Sequence, residues 1–187
     1  MPGPRSRSEF EALMLPHLDA AYNLACWILR DLHEAEDGVQ DAYLKAYEAF
    51  PQYRGGSGAA WLLRIVRNTC ITMLRRRKSR GNVIVLRDLM NDDDPLLRGP
   101  LQDVTSVPER QLIAKAEQQA VRAALAGLSE IYREVIVLRE FEDMSYQEIA
   151  EVTQLPIGTV MSRLSRARRN LREALKEDGE GDERNKL

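Results

Sequence analysis

Apolar residues recur at helical spacing along most of this chain, and the pattern lapses over one long stretch. Phe10, Leu13, Met14, Ala21, Leu24, Ala25 and Ile28 form a first helical stripe. Val39, Ala42, Tyr43, Ala46, Tyr47 and Phe50 form a second, closed by Pro51. A third helix, basic and led by Trp61, spans roughly Ala59 to Arg77. From 81 to 107, in "GNVIVLRDLMNDDDPLLRGPLQDVTSV", prolines, glycines and an acidic triplet leave no sustained period, which marks a linker. Pro108 then opens a long helix with Gly127 near its end, and shorter helices follow to about Lys176. The pattern predicts an all-α chain of two small helical domains, 1–80 and 108–176, joined by a flexible linker. The acidic stretch 177–187 is expected to be a disordered tail.

The length of 187 residues suits one or two small domains rather than a single large one. No apolar run approaches the ~18 residues of a membrane span. The opening "MPGPRSRSEF" lacks the apolar centre of a secretory signal. A soluble, cytoplasmic protein with no membrane insertion is expected. Cys26 and Cys70 are too few and too scattered for a disulfide framework or a zinc site, and read as small buried apolar residues. No metal and no cofactor are expected. The net charge of −2 argues mildly against a nucleic-acid partner, but the charges are unevenly placed.

Near the C-terminus, Ser145 is placed as a helix N-cap, with Glu148 three residues on to complete a capping box. Ile149, Ala150 and Val152 face inward, and Leu155 and Pro156 make a turn. A second helix starts near Gly158 and Thr159 and buries Val160 and Leu164. Its other face carries Ser162, Arg163, Ser165, Arg166, Arg168, Arg169 and Arg172, opposed only by Glu173. This is the make-up of a helix-turn-helix whose second helix lies in the major groove, with hydroxyls and guanidiniums for base edges and phosphates. The plainer reading is a solvated basic face on a helical bundle.

The N-terminal half has its own basic helix, with Arg64, Arg67, Arg75, Arg76, Arg77 and Lys78 and no acidic residue from Trp61 to Arg80. Such a stripe attracts phosphates. In front of it stands Arg54-Gly55-Gly56-Ser57-Gly58. That loop is either a plain turn capped by Ser57 or a place where backbone comes close to a base. Glu34, Asp37 and Asp41 share one helical face. Paired carboxylates can serve acid–base or metal chemistry, but no histidine or calcium-type loop accompanies them and His33 is isolated. A solvated face is the alternative. No catalytic residue and no small-molecule substrate are expected.

Two long segments then acquire a meaning together. "ALAGLSEIYREVIVLREFEDMSYQEIAEVTQLPIGTVMSRLSRAR" closely resembles the C-terminal DNA-binding domain of bacterial RNA polymerase sigma factors of the extracytoplasmic-function (ECF) group. "EAEDGVQDAYLKAY" and "YRGGSGAAWLLRIVRNTCITMLRRRK" look like the core-binding and minus-ten-recognition segments of the same family. The resemblance implies a transcription-initiation subunit, not an enzyme, whose partners are core RNA polymerase and promoter DNA, serving a stress or envelope-type regulon. It implies core-polymerase contact through Asp37, Gln40 and Asp41. It implies minus-ten recognition by Arg54, Gly55, Gly56, Ser57, Gly58, Arg64, Arg67, Asn68, Arg75 and Arg76. Arg54 to Ala60 would rim a pocket for a flipped base, with Asn68 lining it. Minus-thirty-five recognition falls to Ser145, Tyr146, Gly158, Thr159, Ser162, Arg163, Arg166 and Arg169. Ser129 stands where the family often has proline, and Met161 where an arginine or lysine is frequent, so no base contact is carried onto Met161. Trp61 reads as a core anchor or a base-stacking platform.

The resemblance also implies an anti-sigma protein, for which Val83 to Leu86 and Leu89 are candidate contacts. Asp92, Asp93 and Asp94 either imitate nucleic-acid charge in a polymerase channel or keep a linker soluble. The alternative function is an autonomous helix-turn-helix regulator. Such regulators usually dimerise on palindromes, and this chain has no long heptad seam. About 27 linker residues span up to ~90 Å extended and ~30 Å as a coil. Promoter elements two helical turns apart are separated by ~70 Å, so the linker must be nearly extended when both are read.

Overall fold

The computed structural model describes residues 6–79 and 119–184, with side chains described as far as Lys176. The linker 81–107, including Val83 to Leu86, Leu89 and Asp92 to Asp94, lies outside the described residues, as does the helix start expected at Pro108.

Every regular element among the described residues is helical. Helix α1 (Arg7–Met14) is capped by Ser6, whose hydroxyl accepts from the Glu9 amide in a full capping box. Where one stripe from Phe10 to Ile28 predicts one helix, the chain makes two. Pro16 sits in a single 3₁₀ turn, Leu15–His17, after which α2 (Leu18–Leu29) resumes. Proline lacks an N–H and crowds the preceding turn, so the α-helical ladder cannot run through it. Arg30 leaves α2 in the left-handed conformation, and Asp31 caps α3 (Leu32–Ala49) by accepting from the Glu34 amide at 2.9 Å. A 3₁₀ turn at Phe50–Gln52 precedes the glycine loop and α4 (Gly58–Ser79).

The C-terminal half contains α5 (119–127), α6 (Glu130–Glu140), α7 (Tyr146–Thr153) and α8 (Ile157–Arg184). Helix α8 runs past the boundary expected at Lys176, because no proline stops it before Arg184. Among the described residues no helix is long and apolar enough to cross a membrane.

Met14, Leu24, Leu29, Leu62, Leu63 and Val66 are fully buried, each large side chain contributing roughly 2 kcal/mol of transfer free energy. Phe10, Phe50, Tyr53 and Trp61 form an aromatic cluster at one end. The half-buried Trp61 packs against the core, its ring 5.1 Å from that of Tyr53. Gly38 lets α3 approach α4, since an added Cβ would stand 3.2–3.3 Å from Leu29, Cys70 and Met73. Cys26 and Cys70 are buried free thiols, and burial pushes Cys70 up to about 12.

The two halves are not separate bodies. Val135, Leu138, Ile149, Val152, Val160 and Leu164 belong to the same apolar core as Leu24 and Leu62. Helix α7 packs on α4, and α6 packs on α2. Trp27 meets Phe141 across this junction at 6.3 Å.

Candidate nucleic-acid interfaces

The helix-turn-helix is built as its capping residues require. Ser145 accepts from the Glu148 amide at 3.2 Å, and Glu148 accepts from the Ser145 amide at 2.9 Å. Gln154, left-handed with φ 57, ends α7. The Pro156 carbonyl accepts from Thr159 at 2.8 Å and from Val160 at 3.1 Å, which starts α8. Val160, Leu164 and Ala167 turn α8 toward the core. At helical spacing this leaves Ser162, Ser165, Arg166, Arg169 and Arg172 exposed, with Arg163 half-buried at their edge. The Ser162 hydroxyl donates to the Thr159 carbonyl at 3.0 Å. Arg168 is engaged differently from its neighbours, forking onto Glu140 at 3.0 and 2.7 Å. Arg139 donates to the Met144 carbonyl at 2.7 Å and stacks over Tyr146 at 5.5 Å, holding that ring beside the basic face. Met161, at 52% exposure, presents an apolar tip between the arginines. Gly158 is exposed with open space around it.

In the N-terminal half, Gly55 and Gly56 both adopt φ +92, which L side chains rarely tolerate. The buried Tyr53 donates its hydroxyl to the Gly56 carbonyl at 2.7 Å and so holds the loop shape. Ser57 accepts from the Ala60 amide at 3.2 Å and caps α4. The same hydroxyl donates to Glu148 of α7 at 2.7 Å. The loop is therefore a capped turn and also a contact between the two halves. Arg54 is exposed, while Gly58 is buried under α1.

The basic stripe of α4 divides. Asn68, Arg75 and Arg76 are exposed, and Arg64 is half-buried. Arg67 instead turns toward α6 and makes a two-pronged pair with Glu134, one prong at 3.2 Å; the two side chains are 17% and 10% exposed. Arg77 is drawn to Glu34 of α3 at 2.8 Å. On α3, Asp37, Gln40 and Asp41 are all exposed, and Lys45 pairs with Asp41 at 3.0 Å while also donating to the Thr69 hydroxyl of α4 at 3.3 Å. Leu44 and Tyr47 follow them, 65% and 49% exposed, and edge an open apolar groove between α1 and α3. Among the described residues, no cluster of three or more His, Cys, Asp or Glu is placed to hold a metal ion.

Sequence reasoning gave no role to four residues that organise the junction. Arg133, 4% exposed, donates to the carbonyls of Leu125 at 3.1 Å, Leu128 at 2.5 Å and Trp27 at 3.4 Å. Burial draws its guanidinium down to about 10. Arg30 donates to the Ala126 carbonyl at 2.6 Å. Two cations thus hold the carbonyl end of α5 against α2, where the helix dipole favours positive charge. Glu142 accepts from Asn23 at 3.2 Å, and burial raises its carboxyl above the ordinary range. Glu134 completes the set through Arg67. The available signal was Arg133 sharing a helical face with Ile136 and Val137, which marks a charge placed on a buried face.

Comparison with known proteins fits this arrangement. The family profile described as "Sigma-70 region 2" matches residues 13–80, and that described as "Sigma-70, region 4" matches residues 118–171. The RNA polymerase sigma-H factor of Pseudomonas aeruginosa is 36% identical over 169 residues, covering 89% of this chain and 86% of that protein. The ECF RNA polymerase sigma-E factor of Escherichia coli is 35% identical over 139 residues, covering 72% and 70%. Among solved structures, the sigma factor RpoE in complex with the anti-sigma factor NepR from Bartonella quintana superposes with a TM-score of 0.67 at 30% identity, covering 90% of this chain and 98% of that one. The chain belongs to the sigma-70 family of bacterial RNA polymerase sigma factors, within the ECF group.

Proposed function

We infer that this chain docks on core RNA polymerase through α3 and directs it to promoters by reading a minus-thirty-five element with α8 and a minus-ten element with α4 and the glycine loop. The open basic face of α8, set on a capped helix-turn-helix, is the observation that carries this reading. Ser162, Arg163, Arg166 and Arg169 supply hydroxyls and guanidiniums for base edges and phosphates, and Ser145 and Tyr146 stand at the start of α7 for the backbone. On α3, apolar Leu44 and Tyr47 beside Asp37, Gln40 and Asp41 make a patch with an apolar centre and a polar edge, as docking surfaces have. The bare backbone of Gly55 and Gly56 leaves room for an extruded base, with Asn68 offering an amide to its edge. An anti-sigma protein is the expected inhibitor. The chain carries no chemistry of its own in this reading.

Mixing the purified chain with core polymerase on fragmented bacterial DNA, and sequencing transcript starts, tests the proposal. The starts should share two upstream elements about two helical turns apart. Core-independent binding to a palindrome, with no specific starts, would identify an autonomous regulator instead.

A further inference from the structure

The outward face of α8 changes character along its length. Its first exposed residues, Ile157, Gly158, Met161 and Ser162, carry no charge, and the exposed guanidiniums begin only at Arg166. In a helix-turn-helix the N-terminal residues of the second helix reach the base edges. Arginines farther along are placed for phosphates. Met161 therefore stands where sequence is read, and it is the largest exposed apolar side chain there, at 52% exposure.

Its surroundings leave the tip free. A helical side chain leans over the turn before its own Cα. For Met161 that turn contains Gly158, which has no side chain and open space around it. Ile157, four residues earlier, adds a second exposed apolar group on the same side. Ser162 turns its hydroxyl proton back to the Thr159 carbonyl at 3.0 Å and offers no donor beside the thioether. Met161 also lines one open concavity with Tyr146, Ser165, Arg166 and Arg169, so the arginines that would grip the backbone flank the apolar tip.

The major groove has one apolar group for such a tip to meet, the C5 methyl of thymine. At the same place cytosine presents an amino donor, and the purines present acceptors or an amino group. A thioether is at best a weak acceptor, so any of these would be covered without a good partner, at a cost. We propose that Met161 is a base-reading residue of α8, and that the group it reads is the C5 methyl of a thymine in the minus-thirty-five element. This rests on the reading of α8 as the helix that enters the major groove.

The test uses the full chain assembled with core polymerase. In a promoter recovered by transcript-start sequencing, the upstream element is randomised and bound duplexes are selected. The wild type should enrich thymine at one position, and Met161→Ala should lose that preference while keeping the others. Replacing this thymine with deoxyuridine, which pairs identically and lacks only the methyl, should weaken wild-type binding about fourfold, the effect of burying one methyl group. The same replacement should leave Met161→Ala binding unchanged. Met161→Leu should retain the discrimination, and Met161→Gln, similar in length but polar, should lose it. Native helix content by circular dichroism is expected for all three variants, because the side chain is exposed. If Met161→Ala selects the same element as the wild type, the side chain faces a protein rather than a base, and the proposal is overturned. An equal deoxyuridine penalty in wild type and Met161→Ala overturns it too, by assigning the methyl to another residue. Arg166→Ala separates the two levels of failure. Should it alter the selected element when Met161→Ala does not, α8 still reads the duplex and only the role of Met161 falls. Should neither variant alter it, the major-groove reading of α8 falls and the proposal with it.

Discussion

Ser57 and Glu148 lie 91 positions apart in sequence and share a 2.7 Å hydrogen bond, in which the hydroxyl that caps α4 donates to the carboxylate that caps α7. The start of α4 is thereby tied to the start of α7. Ser57→Ala removes the α4 cap and this tie together. It should cost about 1 kcal/mol of stability, a cap's usual contribution, because the exposed edge of the loop lets water take over part of the lost bonding. Urea unfolding followed by circular dichroism measures the loss. Ser57→Asn keeps an acceptor for the Ala60 amide and should retain most of the stability.

The same carboxylate gives the fold a pH dependence of known sign. The Ser145 amide, then the Ser57 and Ser145 hydroxyls, hold Glu148 below its ordinary value of 4.5. A carboxyl lowered in the native state stabilises that state when ionised. The contribution is present above 4.5 and disappears as pH falls through the lowered native value. Glu142 acts in the opposite sense, since burial raises it and its contribution is lost as pH rises through its native value. Comparing the wild type with Glu148→Gln cancels the Glu142 effect. The stability difference between the two proteins should be constant near neutral pH and shrink on acidification below 4.5; a difference that grows there would reverse the assignment.

Periodicity and capping chemistry made the helices legible, because both are local. The Ser145–Glu148 capping box, the inward set Ile149, Val152, Val160 and Leu164, and the outward arginines of α8 can be read from spacing alone. Pro16 was an equally local signal, and the apolar stripe on either side of it concealed the break. What spacing does not reveal is which charges meet across the junction. Arg67 and Glu134 are 67 positions apart, and each looks like one more surface charge on its own helix. The basic run of α4 reads as one surface for that reason, yet of Arg67 and Asn68, one residue apart and so about 100° apart around the axis, the first meets Glu134 and the second is exposed.

Arg133 tests how firmly the junction depends on a buried cation. Three backbone carbonyls receive its guanidinium, and none is carboxylate. Arg133→Met leaves those carbonyls without their donor in a site closed to water, which should destabilise the protein by about 3 kcal/mol. Arg133→Lys should not restore it, since one ammonium on a flexible stem cannot reproduce a rigid fork toward both α5 and α2. Chemical denaturation gives the magnitude. Hydrogen exchange should locate the first loss of protection at the C-terminal end of α5.

The arginines of α8 should differ in weight although they alternate along one helix. Arg166 is exposed, and Arg163 stands half-buried at the edge of the same face. Replacing either with alanine should weaken binding to a duplex carrying the minus-thirty-five element by roughly 1–3 kcal/mol, the range for a two-pronged contact to a base. Arg168 is already engaged by Glu140 at 2.7 Å, with both side chains near half exposure. Its alanine variant should cost less, because DNA would first have to draw the guanidinium from its carboxylate. Glu140→Gln should make Arg168 available and steepen the salt dependence of binding, as one more neutralised phosphate releases one more set of counterions. Anisotropy titrations at several salt concentrations separate the cases: Arg166→Ala lowers affinity for the element above its effect on random duplex, whereas Glu140→Gln raises affinity for both alike. Equal losses for Arg166→Ala and Arg168→Ala on every duplex would mean that this face grips phosphates without reading bases.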